Sequence, residues 1–146
     1  MKRSLIYLVL AGFLFGIRIP AFPIDAGHES EKYEDAKAVL TDLAVLTEAF
    51  VENMDQVDEP KDVAKALDAF AESMKELVPR INEIRKKYPE LDDEDTHPEE
   101  LKPLLQRVDK DFQMMMKAYT KVNANIEDPA VEEADAKFKE VMSALG

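Results

Sequence analysis

The stretch VAKALDAFAESMKELVPRINEIRKKY, residues 63 to 88, decides the fold. Its apolar residues recur in alternating steps of four and three, the period of a helix packed along a seam of other helices. They are Val63, Leu67, Phe70, Met74, Leu77, Ile81, Ile84 and Tyr88. Pro79 lies opposite this seam, where the hydrogen bond that proline removes is open to water. The pattern therefore predicts one continuous helix, bent at Pro79.

Three further segments carry the same helical period. We expect a first helix over residues 31 to 57, with Ser30 as its N-cap, because its apolar residues share one broad face. Thr96 and Glu99 match a capping box, which predicts a third helix continuing to Ile126. Asp128 and the proline after it are typical of a helix start, and predict a last helix ending near residue 145.

The four segments predict an all-α domain over residues 27–146: an antiparallel up-down-up-down four-helix bundle with a short fourth helix. At 1.5 Å per residue, the first three helices would each be about 40 Å long and the last about 25 Å. A gap is therefore expected beside the fourth helix. A homodimer is one way to fill that gap, and an unknown protein partner is the other.

Individual positions on these helices can be assigned to a face. Val45 and Met114 point away from the apolar faces, whereas Met115 belongs to the core and Met116 flanks it, because consecutive helical residues are about 100° apart. A cluster of thioethers converging on copper is therefore not expected from the run of three methionines.

Residues 1–26 match a secretory signal peptide. Lys2 and Arg3 precede an apolar run from Leu5 to Ile17, and a small residue, Ala26, offers a cleavage position. The run is shorter than the ~20 residues that span a membrane. We expect a periplasmic or secreted protein with no stable membrane anchor after cleavage.

Composition limits the chemistry. The chain has 146 residues, a net charge of -12 and no cysteine. The acidity disfavours binding to nucleic acid phosphates, and the missing cysteine excludes disulfides and thiolate metal sites. With no phosphate-binding glycine loop and no nucleophile motif either, we expect neither enzymatic activity nor a cofactor.

One metal site is a candidate. In an up-down bundle the start of the first helix and the loop between the second and third lie at the same end. His28 and His97 would then approach each other, with Asp95 nearby, and could hold a divalent cation. The competing interpretation is two solvent-exposed histidines.

The layout of the first two helices, with Met54 near the end of one and Val63–Leu67 opening the next, resembles the cytochrome b562 family. That family holds haem between a methionine near the start of its first helix and a histidine in its last. Here residues 31–34 contain no methionine and residues 128–146 contain no histidine. The resemblance therefore implies a four-helix layout without the haem ligands.

A second resemblance covers most of the chain after residue 26. The segments Ala66–Phe70, Ile84–Leu91 and Pro98–Leu101 are similar to small bacterial exported helical proteins and lipoproteins. This resemblance implies an exported helical domain and no particular activity. The lipobox cysteine of the lipoprotein members is missing here.

These observations favour an exported helical bundle that acts by binding or scaffolding. Two alternatives stay open at this point. The first is a haem- or metal-carrying bundle of cytochrome b562-like shape, in which Met54, Met74, Met115 or Met142 would supply soft ligands. The second is a periplasmic chaperone or stress-response protein, which would need a large exposed apolar groove.

Overall fold

The structure is a computed structural model that describes residues 32–93 and 96–145. Within these residues it is 84% helical and contains no strands. The elements are α1 (Glu34–Gln56), α2 (Pro60–Lys87), a 3₁₀ turn (Pro89–Asp92), α3 (Lys102–Ala118), α4 (Thr120–Ala124) and α5 (Pro129–Ser143). The all-α prediction is confirmed. The predicted signal peptide and its cleavage position lie outside the described residues.

The first two helices agree with the sequence pattern. α1 begins at Glu34 and ends at Gln56, and α2 begins at Pro60, whose missing N–H suits the first turn. The predicted N-cap of α1, Ser30, falls outside the described residues. At 1.5 Å per residue the two helices are about 35 Å and 42 Å long.

α2 runs through Pro79 without a break. Pro79 is exposed, whereas Leu77 and Ile81 on either side of it are buried. The predicted continuity is confirmed, because the lost hydrogen bond falls on the water side of the helix. The bend at this position stays a prediction.

The start of the third helix was predicted wrongly. α3 begins at Lys102, so Thr96 does not cap it. The Thr96 hydroxyl instead reaches the main-chain oxygens of Glu90 and Asp93, each at 3.1 Å. Threonine hydroxyls often bond to nearby backbone in this way, in competition with helix capping. These two hydrogen bonds connect the loop to the 3₁₀ turn that follows α2.

The third helix is also shorter than predicted. α3 ends at Ala118, and α4 resumes at Thr120 for a single turn. The Thr120 hydroxyl donates to the main-chain oxygen of Lys117 at 2.6 Å, which competes with the regular helical hydrogen bond. α3 is therefore about 25 Å long, well short of the 40 Å expected from its apolar pattern.

The last helix starts as predicted. The Asp128 carboxylate accepts a hydrogen bond from the backbone N–H of Ala130 at 2.9 Å, and Pro129 occupies the first turn. An aspartate N-cap of this kind satisfies one of the N–H groups that a helix start leaves unpaired.

Aromatic rings connect all four helices at one level of the core. Phe70 of α2 lies 4.5 Å from Phe50 of α1 and 5.8 Å from Phe138 of α5, between ring centroids. Phe138 in turn lies 5.5 Å from Tyr119, the residue between α3 and α4. These spacings are typical of favourable aromatic pairs.

The helices do not contact one another equally. α1 packs against both α2 and α3, and α2 packs against both α1 and α5. Within the described residues α3 makes little comparable contact with α5. The α1–α2 pair is therefore the centre of the domain, with α3 and α5 attached to different members of it.

Candidate functional site

The apolar seam of α3 is only partly covered. Leu101 and Met115 are buried, but Leu105, Phe112 and Met116 are only partly buried while packing against the core. The buried residues of α3 include Asp111 and Ala118, which lie off the seam predicted from the sequence. The helix is thus rotated by roughly 40° toward α1, at 3.6 residues per turn. One edge of its seam is left only partly buried.

The end of α5 carries the matching half-covered residues. Val141, Met142 and Leu145 are partly buried and pack against the core. We call the two sets together the open face; it consists of Leu105, Phe112 and Met116 from α3 with Val141, Met142 and Leu145 from the region of α5.

The inward face of α1 also contains a partly buried residue. Leu43 lies one heptad beyond Ala36 and one before Phe50, so all three share the inward face of α1. Ala36 and Phe50 are almost completely buried, whereas Leu43 is only partly buried. The core is therefore less fully covered at the level of Leu43 than on either side of it.

A buried carboxylate lies between α1 and α3. Asp111 is 5% exposed, and its Oδ2 has no hydrogen-bond partner in the described part of the chain. Arg107 Nε lies 3.7 Å from that oxygen, but the Arg107 guanidinium donates to both carboxylate oxygens of Glu48 at 2.9 Å. Burial, and then the neighbouring Glu48 carboxylate, raise the pKa of Asp111. The α1–α3 contact thus contains a carboxylate whose burial is poorly compensated.

A second buried carboxylate connects the end of α3 to α5. Asp135 is 4% exposed and accepts hydrogen bonds from the Tyr119 hydroxyl and from Lys139. Burial, followed by the bond to Asp135, raises the pKa of Tyr119, so the hydroxyl keeps its proton and remains a donor. This bond is where the α3–α4 junction and α5 meet.

Of the three predicted metal ligands, only His97 lies within the described residues. His97 is partly buried, and its Nε2 lies 3.1 Å from the main-chain oxygen of Leu91, which can only accept. That nitrogen therefore carries the proton in this arrangement. His28 and Asp95, the other predicted ligands, lie outside the described residues. Among the described side chains, no group of three or more histidines and carboxylates is arranged to hold a metal ion.

The methionines have the predicted orientations. Met54, Met74 and Met115 are buried, Met116 is partly buried, and Met114 is 41% exposed. Val45 likewise lies on the outer side of α1 and is 54% exposed. The placement of Met115, Met116 and Met114 on core, flank and outer side is therefore confirmed.

The sequence analysis missed a polar cluster that joins the start of α1 to the end of α2. The rings of Tyr33 and Tyr88 lie 4.9 Å apart, and the Tyr33 hydroxyl donates to Glu90 at 2.7 Å. The Tyr88 hydroxyl is 2.9 Å from Asp35, which also pairs with Lys87 at 2.5 Å. The ammonium of Lys87 is the main reason that the pKa of Asp35 is lowered.

That cluster borders a shallow groove between α1 and α2. The two cationic side chains that line this groove are already paired with carboxylates. Arg80 pairs with Asp42 at 2.7 Å, and Lys87 pairs with Asp35. The only sequence signal for the cluster was the tyrosine at the last seam position of α2. Its contacts are those of a structural link between two helix ends.

Comparison with known proteins adds no relative. No protein-family model, no curated protein and no solved structure matches the chain. In the described residues, no helix is both long enough and apolar enough to cross a membrane.

Proposed function

We propose that the protein is an exported, non-enzymatic helical module that binds another protein through the open face. The half-covered seam of α3 carries this proposal, because Leu105, Phe112 and Met116 are core-type side chains left partly in water. Removing apolar surface from water is worth about 25 cal/mol per Å². A partner that fits between α3 and α5 would therefore gain affinity without any change in the fold.

The proposal includes an up-down-up-down arrangement of the four helices. Contacts between α1 and α2 support opposite directions for these two. The start of α1 meets the end of α2 through Tyr33 and Tyr88, and Phe50, further along α1, meets the earlier Phe70 of α2.

Ion pairs support the same direction for α1 and α3. Lys37 pairs with Glu100, just before α3, at 2.9 Å. Further along both helices, Glu48 pairs with Arg107 at 2.9 Å. The segment between α2 and α3 must then pass from α2 across the end of α1 to reach α3, which fits its length.

The same reasoning applies to α2 and α5. Lys137 pairs with Asp68 at 3.1 Å, and the Asn82 amide donates to the main-chain oxygen of Ala144 at 2.8 Å. The order around the bundle is then α3, α1, α2, α5. In this order α3 and α5 flank the gap, with the start of α3 opposite the end of α5.

Export is the part of the proposal that rests on residues 1–26. We expect the protein recovered from a secreting bacterial host to lack those residues. Intact-mass measurement and cell fractionation test this together. Recovery of the complete chain from the cytoplasm alone would contradict it.

Binding is tested with two methionine variants of the full chain. Met116→Glu places a charge on the open face, whereas Met114→Glu places the same charge on the outer side of the same helix. We expect capture of a protein from envelope extract by wild type and by Met114→Glu, and loss of capture by Met116→Glu. Equal capture by all three proteins would refute binding through the open face.

The partial burial of the open face favours a single fitted partner over the many clients of a chaperone. Val45 and Met114, the large apolar residues most exposed in the described part, lie on outer surfaces away from the gap. A chaperone surface would instead need broadly exposed apolar residues. We therefore expect the protein to capture its partner but not to suppress the aggregation of a client protein.

A further inference from the structure

The first half of α3 is held on the domain by very few buried side chains. Three of the 17 residues of α3 are buried, against ten of 28 in α2. None of the three lies in residues 102–110, since the first buried residue is Asp111, and Met115 and Ala118 follow it. Apart from the adjoining α4, α1 is the one helix in the described part of the chain against which α3 packs extensively. The buried apolar residues of α3 therefore all lie in its second half.

The same contact leaves carboxylate oxygens without hydrogen bonds. Among the described side chains, the buried oxygens that lack a partner are Oδ2 of Asp111 and Oε1 of Glu100, which lies two positions before α3. The neighbouring Glu48 of α1 is also a carboxylate and cannot donate to Asp111 when both are ionised. Unwinding of this part of α3 would let water reach both oxygens and restore the hydration that burial removes.

The ion pairs between this part of α3 and α1 are accessible to water. Arg107 donates to both oxygens of Glu48 at 2.9 Å, but each side chain is 42% exposed. Lys37 pairs with Glu100 at 2.9 Å, and both of these side chains are partly exposed. An ion pair exposed to this extent contributes less to stability than the burial of one large apolar side chain. These pairs set the register of α3 on α1 without holding it strongly.

Both ends of the weakly held segment are fixed. Leu101, just before α3, is completely buried, and Met115 is 3% exposed. At the far end of the helix, the Tyr119 hydroxyl donates to the buried Asp135. The weakly held turns of α3 therefore lie between two anchored ends.

We propose that residues 102–111 of α3 unwind from α1 as one unit, promoted by the unpartnered Asp111 carboxylate, while the rest of the domain stays folded. Local opening of this kind occurs where few apolar side chains are buried and backbone hydrogen bonds are accessible. Because Leu101 and Met115 keep the two ends in place, the segment can fold back onto α1 without leaving the domain. A partner that binds α1 in place of this segment would shift the population toward the open state. The unwinding is a property of the protein alone, whether or not a partner occupies the open face.

Hydrogen–deuterium exchange of the full chain, resolved by residue in NMR spectra, tests the unwinding. Amides of residues 105–111 are expected to have protection factors about tenfold or more lower than the α2 amides of Phe70 and Met74. In urea well below the unfolding transition, the α2 rates should rise steeply and the α3 rates should change little, because local opening exposes little surface. Equal protection in the two helices, or a urea dependence of α3 as steep as that of α2, overturns the proposal.

The variant Asp111→Asn tests the cause of the unwinding. Its neutral amide can donate to Glu48, so exchange of residues 105–111 should slow by about tenfold. Asp109→Asn is the matched control, because it changes an exposed carboxylate on the same helix and should leave the exchange rates unchanged. Equal effects of the two variants, or unchanged exchange in Asp111→Asn, would contradict the role of the buried carboxylate.

Discussion

Asp111 and Asp135 are both buried carboxylates, but they are compensated very differently. Asp135 receives two hydrogen bonds, from Tyr119 and Lys139, and joins α5 to the α3–α4 junction. Asp111 Oδ2 receives none within the described residues, and Arg107 is engaged by Glu48. Since an unsatisfied buried polar group costs about 1–3 kcal/mol, the two residues should respond oppositely to substitution.

Asp111→Asn should stabilise the protein near pH 7 by about 1 kcal/mol, because the amide is neutral and can donate to Glu48. The matched control is Asp109→Asn, which alters an exposed carboxylate on the same helix. Urea unfolding at pH 7 measures both. A stabilisation by Asp109→Asn as large as that by Asp111→Asn would show that burial is not the cause.

The same residue predicts a pH dependence. The pKa of Asp111 is raised on folding, so the folded protein holds this proton more tightly than the unfolded chain does. Its contribution to stability is complete below the unfolded pKa and is lost as the pH rises through the folded pKa. Subtracting the unfolding free energies of Asp111→Asn from those of wild type between pH 3 and 7 should reveal this loss; a flat difference would contradict it.

Tyr119→Phe should destabilise the protein by about 1–3 kcal/mol, because it removes a donor from the buried Asp135. The control is Tyr33→Phe, since Glu90, the acceptor of Tyr33, is only partly buried and keeps its ion pair with Lys32. Chemical denaturation compares the two variants. Equal losses would mean that the hydroxyl of Tyr119 contributes no more than that of Tyr33, whose acceptor is only partly buried.

At the scale of helices, Pro79 and Pro103 show that the effect of a proline depends on where it lies in its helix. Pro79 lies inside α2 and Pro103 lies in the first turn of α3, and both are exposed. A proline inside a helix removes a hydrogen bond, whereas one in the first turn removes none. Helix propensity alone therefore predicts unequal effects for the same substitution.

Pro79→Ala should raise stability by about 1–3 kcal/mol, and Pro103→Ala should be nearly neutral. The lower end of the range applies if α2 must bend to follow the core, because a straightened helix would lose packing. Thermal unfolding followed by circular dichroism measures both changes. Destabilisation by Pro79→Ala would show that the bend contributes more than the hydrogen bond it costs.

The helix periods were also sufficient to predict where α1, α2 and α5 lie, but not where α3 begins and breaks. The Thr96 and Thr120 hydroxyls bond to main-chain oxygens three to six residues earlier in the chain. The sequence pattern predicted capping and continuation at these positions, but threonine hydroxyls can also bond to nearby backbone oxygens, and the pattern does not distinguish these local alternatives. The predicted third helix was therefore wrong at its start and too long.

At the scale of the whole molecule, Phe70 connects the helices through its ring contacts in the core. It lies between Phe50 and Phe138 in the aromatic chain that ends at Tyr119. Phe70→Ala should cost about 3–5 kcal/mol, a large part of the stability of a domain this size. The control Phe112→Ala, on the open face, should cost clearly less because Phe112 is only partly buried. Urea unfolding distinguishes them, and comparable losses would refute a core centred on Phe70.

The sequence by itself determined the all-α class, the seams of α1 and α2, the cap at Asp128 and the outward position of Pro79. These follow from periodicity and local backbone chemistry, which act over a few residues. Only the tertiary structure decided the rotation of α3, the burial of Asp111 and Asp135, and the partial burial of the apolar residues on α3 and α5. Those depend on which helices touch, and a period of 3.6 residues gives the width of an apolar stripe without specifying how much of it a neighbour covers.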